Sequence, residues 1–74
     1  MIRFYLKEQL SEKGFREKRR VTLEEASRAT GIGRNTLSRI ASNRGCNTTT
    51  DNLDKLCKYF ECSLSDLAVY VEDQ

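Results

Sequence analysis

Residues 22–40 read TLEEASRATGIGRNTLSRI, the pattern of two short helices joined by a tight turn. Thr22 followed three residues later by Glu25 has the form of a capping box: the Thr hydroxyl accepts from the Glu25 amide, and the Glu25 carboxylate reaches back to the Thr22 amide. Leu23, Ala26 and Thr30 then recur at helical spacing, and Gly31 stands where a residue with positive φ closes a helix at no steric cost. After Ile32 the chain restarts at Gly33, a tolerated N-cap, and residues 34–42 carry a second helical pattern. At about 100° per residue, Arg34, Asn35, Ser38 and Arg39 share one polar arc, with Leu37 and Ile40 on the far side. One face is predicted to pack inward while the other faces a partner.

The residue types on that arc suit nucleic acid. Arginine presents a fork of donors that fits the O6 and N7 edge of guanine, asparagine pairs bidentately with adenine, and serine takes either role. A helix fits the major groove, and in helix-turn-helix proteins the N-terminal residues of such a helix reach base edges. The same arc also fits the solvated side of an ordinary helical hairpin, because exposed Arg and Asn are common.

The stretch resembles the helix-turn-helix of the phage-repressor family that includes the lambda and 434 repressors and Cro (the XRE-like family), and more closely its compact single-domain bacterial members. The similarity runs from IRFYLKEQL through TLEEASRATGIGRNTLSRI to NTTTDNLDKLCKYFECSLSDL. It implies an all-α, five-helix lambda-repressor-like DNA-binding domain spanning residues 1–74, with the motif at helices 2 and 3. It also implies that Arg34, Asn35, Ser38 and Arg39 are the base readers. Some positions depart from the family pattern. Leu23 stands where members usually have a Gln on phosphate, Ala26 where they have a large apolar residue, and Ser27 where they have a small packing residue. The first motif helix is therefore expected to pack less tightly. Asn43 takes the place of the Gly after the recognition helix and tolerates the left-handed region.

Seventy-four residues make one small domain, whose core is marginal without help from association or a partner. No apolar run approaches the roughly 18 residues that span a bilayer, and no short apolar run with a cleavage site follows the N-terminus. A soluble cytoplasmic protein of bacterial or phage origin, without membrane partners, is expected. The net charge of +2 is unevenly spread: residues 1–50 hold 11 Lys or Arg against 5 Glu, whereas residues 51–74 hold 2 against 6 acids. A basic half carrying the motif and an acidic tail suggest a one-sided footprint for a polyanion.

Ile2, Leu6 and Leu10 at spacing four predict a first helix over residues 2–13, ended by Gly14, with Phe4 and Tyr5 packing against the C-terminal segment. Residues 15–21, FREKRRV, form a longer connection than family members usually have at this point, about five residues of insertion bearing Arg16, Lys18, Arg19 and Arg20. Either this is a solvated loop or Arg19 or Arg20 touches backbone phosphate. Residues 43–50, NRGCNTTT, are turn and cap formers. Thr49 is placed to cap a fourth helix over residues 50–60, with Leu53, Leu56, Cys57 and Phe60 as its inward stripe. Ser63, with Asp66, caps a short fifth helix whose Leu64 and Leu67 face the core. Val69, Tyr70 and Val71 either fold back onto the first helix, the expectation for so short a chain, or meet another subunit. Phosphate contacts are expected at Thr36, Arg19, Arg20, Asn43, Arg44, Asn47 and Thr48, with Arg44 foremost in the connector.

Enzyme chemistry is poorly represented. There is no His, and Cys46, Cys57 and Cys62 lack a CxxC pair or a fourth ligand, so neither a zinc site nor a nucleophile with its base assembles in the usual ways. Gly31 and Gly33 give GxG without the third Gly of a dinucleotide site. No catalytic residue, metal or cofactor is expected. The main reading is a sequence-specific transcriptional regulator of double-stranded DNA, simplest as a repressor and, as family members usually are, a homodimer. The alternative is an antitoxin or other interaction module whose chief partner is a small protein and whose DNA binding is secondary. RNA binding is less well supported, because no stacking platform of exposed aromatics is evident.

Overall fold

The computed structural model describes residues 1–43 and 47–72. In chain order the elements are β1 (Ile2–Phe4), α1 (Leu6–Glu17), α2 (Leu23–Thr30), α3 (Arg34–Ser42), α4 (Thr50–Phe60), α5 (Leu64–Leu67) and β2 (Ala68–Tyr70). The five helices surround one core, in which Leu6, Ala26, Leu37, Ile40, Leu56, Phe60 and Leu67 are fully buried and Phe4, Ile32 and Ala41 nearly so. At roughly 1.5–3 kcal/mol for each large apolar side chain removed from water, this cluster is the main force that gathers the helices. Leu56 and Phe60 anchor α4 on the predicted stripe, with Leu53 and Cys57 half-buried beside them. Thr49 caps α4 by accepting from the Asn52 amide at 3.1 Å.

The start of the expected helix over residues 2–13 differs: only from Leu6 on is it helical. Ile2–Phe4 is a strand that pairs antiparallel with Ala68–Tyr70, in the register Ile2↔Tyr70, Arg3↔Val69 and Phe4↔Ala68. The pairing extends at one end through Met1 and Val71, which exchange two bonds of 2.8 Å, and at the other through the Tyr5 amide on the Leu67 carbonyl at 2.7 Å. The apolar tail thus folds back onto the N-terminal segment as a ribbon rather than onto a helix. Ile2 still falls at helical spacing with Leu6 and Leu10, which is why periodicity misassigned it; the partner that makes it a strand lies almost the whole chain away. Phe4 does pack against the C-terminal segment, as expected.

Helix α1 also runs past Gly14 to Glu17 and ends at Lys18, whose φ of 56° is left-handed. Phe15, Arg16 and Glu17 are therefore its last turn, and only residues 18–22 connect it to α2. Gly14 closes no helix; it makes room for the returning chain, because a Cβ there would stand 2.6 Å from the Arg19 carbonyl oxygen. In α5, Asp66 accepts from the Ser63 amide at 3.2 Å and hydroxyl at 2.9 Å. Leu67 is buried, whereas Leu64 is 53% exposed and does not face the core. One turn of helix presents only one apolar position inward.

Candidate nucleic-acid interface

Helix α2 begins at Thr22, whose hydroxyl accepts from the Glu25 amide at 3.2 Å. The other half of the expected capping box is not made. Both Glu25 oxygens instead take the Arg19 guanidinium at 2.6 Å, and one also accepts from the Tyr59 hydroxyl at 3.1 Å. A bidentate, charge-assisted pair outcompetes a single amide for the same carboxylate. At its other end α2 closes at Gly31, with φ 78° and its amide on the Ser27 carbonyl at 2.9 Å. The turn to α3 is further closed by the Ser27 hydroxyl donating to the Ile32 carbonyl at 2.6 Å, and by the Thr30 hydroxyl accepting from the Ile32 amide at 3.2 Å. Ile32, nearly buried, is the apolar peg beneath it. Ser27, anomalous as a packing residue, here supplies a directional bond.

This turn sets the direction of α3. Leu37 and Ile40 are fully buried and Ala41 nearly so, while Arg34, Asn35, Ser38 and Arg39 are all exposed on the opposite arc. The four expected base readers therefore lie together on one solvent-facing surface, with Thr36 half-buried beside them. Arg20 and Arg34 border one shallow depression together with Thr22, Leu23 and Glu24 at the start of α2. Two guanidinium groups beside a helix N-terminus favour an anion.

Two other expected phosphate contacts, Arg19 and Asn43, are engaged elsewhere. Arg19 is gripped by Glu25 and by Glu17, whose carboxylate accepts from Nε at 2.8 Å. Hydrogen bonds from Lys13 and Arg19 hold the Glu17 carboxyl below its usual range; that of Glu25 is held low by Arg19 and, less strongly, by the Tyr59 hydroxyl. The same two carboxylates push the Arg19 pKa up. Burial, and then Glu25, push Tyr59 up. Asn43 ends α3 with φ 58°, and its side chain bonds the backbone of Phe4 in both directions. Asn47 is exposed; the Thr48 hydroxyl, half-buried, accepts from the Asn52 amide group at 3.4 Å. Arg44 and Cys46 lie outside the described residues.

Two basic residues have roles that the sequence did not suggest. Lys13 donates to the Tyr59 carbonyl at 3.3 Å and Arg16 to the Phe60 carbonyl at 2.9 Å, so both satisfy the C-terminal end of α4. Their partners lie more than 40 residues away in sequence, beyond any local signal. Cys57 and Cys62 are free thiols, and burial, together with Cys57 alongside, pushes the Cys62 thiol up, away from the reactive thiolate. Among the described residues, no group of His, Cys, Asp and Glu is placed to hold a metal ion, and no helix is long and apolar enough to cross a membrane.

Two short helices meeting across a Gly-closed turn, the second with a buried apolar side and an exposed polar arc, define a helix-turn-helix DNA-binding domain. The family model of the Cro/C1-type HTH DNA-binding domain matches residues 6–73, and the chain belongs to that family. It is a DNA-binding regulator, with the motif at α2 and α3. No curated protein and no solved structure matches the chain.

Proposed function

We propose that this protein is a sequence-specific transcriptional repressor that reads the major groove with α3. The observation that carries the reading is the exposed arc of Arg34, Asn35, Ser38 and Arg39 opposite buried Leu37, Ile40 and Ala41. In this reading Arg34 and Arg39 pair with guanine edges, Asn35 with adenine, and Ser38 with either. Thr36, Arg20, Asn47, Thr48 and Arg44 hold phosphates; Arg19 and Asn43, also expected there, are engaged within the fold. Repression follows from occupying promoter DNA. As a homodimer the protein would set two recognition helices on half-sites about 34–36 Å apart.

Selection of bound duplexes from a random-sequence library at about 150 mM salt, near physiological ionic strength, tests this directly. An enriched palindrome supports a dimeric reader and gives the half-site spacing. A single enriched half-site supports a monomeric reader, and binding without enrichment overturns sequence-specific reading.

One observation favours the second reading, an antitoxin-like module with a protein partner. Met1, Ile2, Leu64 and Tyr70 are exposed around an apolar groove of about 520 Å³ between the ribbon and the start of α4. Contiguous exposed apolar surface is a mark of protein contact. Light scattering of the purified protein, alone and co-expressed with its neighbouring gene product, separates a homodimer from a heteromeric complex.

A further inference from the structure

In the ribbon, Met1 and Val71 exchange both of their backbone bonds, and the Tyr5 amide meets Leu67. Hydrogen-bonded pairs alternate along an antiparallel ladder, so the N–H and C=O of Phe4 point away from β2. There they meet the side chain of Asn43: Oδ1 accepts from the Phe4 amide at 2.6 Å, and Nδ2 donates to the Phe4 carbonyl at 3.0 Å. A carboxamide carries a carbonyl acceptor and N–H donors, the same two kinds of group that a neighbouring strand's backbone would offer. Asn43 thus occupies the outer edge of β1 as a one-residue third strand.

Asn43 is also the left-handed cap of α3. Helix α3 rests on Leu37, Ile40 and Ala41, and apolar burial is non-directional. Its N-cap, Gly33, makes no side-chain bond, and the Ser42 hydroxyl bonds only the nearby Arg39 carbonyl. Among the described residues, the two bonds to Phe4 are the only hydrogen bonds from α3 or its caps to a distant element. Side chains stand about 5–6 Å from a helix axis. A roll of about 10° therefore moves a donor by about 1 Å, enough to take a bond of about 2.9 Å out of range.

We propose that Asn43 is a positioning residue for DNA reading: by bonding the Phe4 backbone in both directions, its carboxamide fixes the roll of α3 and so the aim of Arg34, Asn35, Ser38 and Arg39. This rests on the base-reading role proposed for α3. Asn43 itself touches no base.

The test compares wild type with Asn43→Gly, which retains a residue suited to a φ of 58° but removes the carboxamide. Affinity is measured for the selected duplex and for a random duplex at a temperature where both proteins give a folded two-dimensional NMR spectrum. The ratio of the two affinities is the readout, because partial unfolding lowers both equally. The expected result is a fall in this ratio of at least about fivefold, the least that one lost base contact gives, with random-duplex binding little changed. An unchanged ratio overturns the proposal. If the glycine variant does not fold, Asn43→Asp replaces it; this keeps the acceptor for the Phe4 amide, and its added charge weakens both duplexes alike. The same fall in ratio is expected, and the same constancy refutes. Slow exchange of the Asn43 side-chain amide protons in free wild type is a second readout, and rapid exchange would show that the bonds do not hold in solution. Failure of wild type itself to prefer any duplex would strike the base-reading proposal instead, and would be seen before any variant is made.

Discussion

Replacing Gly14 by alanine sets two effects of known size against each other. In a helix interior alanine is favoured over glycine by about 0.8–1.0 kcal/mol, and Gly14 lies inside α1, three residues from its end. On propensity alone the substitution stabilises. Against this, the new Cβ would stand 2.6 Å from the Arg19 carbonyl oxygen and 3.7 Å from the Val21 nitrogen. Neither atom belongs to a side chain that can swing away. The loop is fixed there by the Arg19 amide on the Gly14 carbonyl at 3.0 Å, and by the Arg19 guanidinium on Glu17 and Glu25. Relief requires a backbone shift of roughly half an ångström or more, and overpacking of this kind costs about 1–3 kcal/mol. Because backbone must yield, the upper part of that range applies, and the net effect is a destabilisation of about 1–2 kcal/mol. For a domain of this size each kcal/mol moves the melting temperature by about 4–8 °C, so a fall of roughly 5–15 °C is expected in a circular dichroism melt at 222 nm. A variant melting at or above wild type would refute the reasoning and show that residues 18–22 give way without cost.

Arg39→Ala should weaken the selected duplex by about 1–3 kcal/mol and relax one base position, with little change on random DNA; equal losses on both would rule out base reading by Arg39. Arg20→Ala should reduce the salt-dependence slope of DNA affinity by about 0.9, one phosphate's worth, whereas Arg19→Ala should leave the slope alone and lower thermal stability. The reverse pattern would place Arg19 on phosphate. Glu17 and Glu25 have lowered folded-state pKa values, so the native state binds protons less readily than the unfolded chain. Their stabilisation is complete above the ordinary glutamate pKa of about 4.3 and is lost as pH falls through the lowered folded values. Melting temperature should therefore be flat near neutrality and fall in acid, with a shallower acid fall in Glu25→Gln; curves of equal steepness would remove Glu25 from the linkage.

Where the sequence reading held and where it failed follow from range. Residues 22–42 and 49–60 were legible because their signals are local: the Thr22 and Thr49 hydroxyls cap helices three residues away, Gly31 supplies a positive φ, and Leu37, Ile40, Leu56 and Phe60 mark the buried sides. Residues 2–5 failed because their strand partner is Ala68–Tyr70. Gly14 was read as a helix end, since a glycine's need for space is invisible until the chain five residues on returns against it. Glu25 was given a purely local capping role, but a guanidinium from the connection six residues back and a phenol on α4 take its carboxylate first. Leu64 was placed in the core by a periodicity that a single turn of helix is too short to express.

Residue type is degenerate in this protein, and placement removes the degeneracy. The carboxamide pattern that suits asparagine to adenine also suits it to a peptide edge, and only proximity to β1 separates Asn43, occupied by Phe4, from exposed Asn35. The guanidinium fork that fits guanine fits a carboxylate equally well, which separates Arg19 from Arg39 in the same way. The consequence for DNA binding is quantitative. All four basic residues at positions 15–21 are exposed, but Arg16 ends on the Phe60 carbonyl and Arg19 on two glutamates, while Lys18 and Arg20 have no such side-chain partner among the described residues. At about 0.9 per neutralised phosphate, phosphate contacts from Lys18 and Arg20 would add about 1.8 to the salt slope, half of what the segment's four charges suggest.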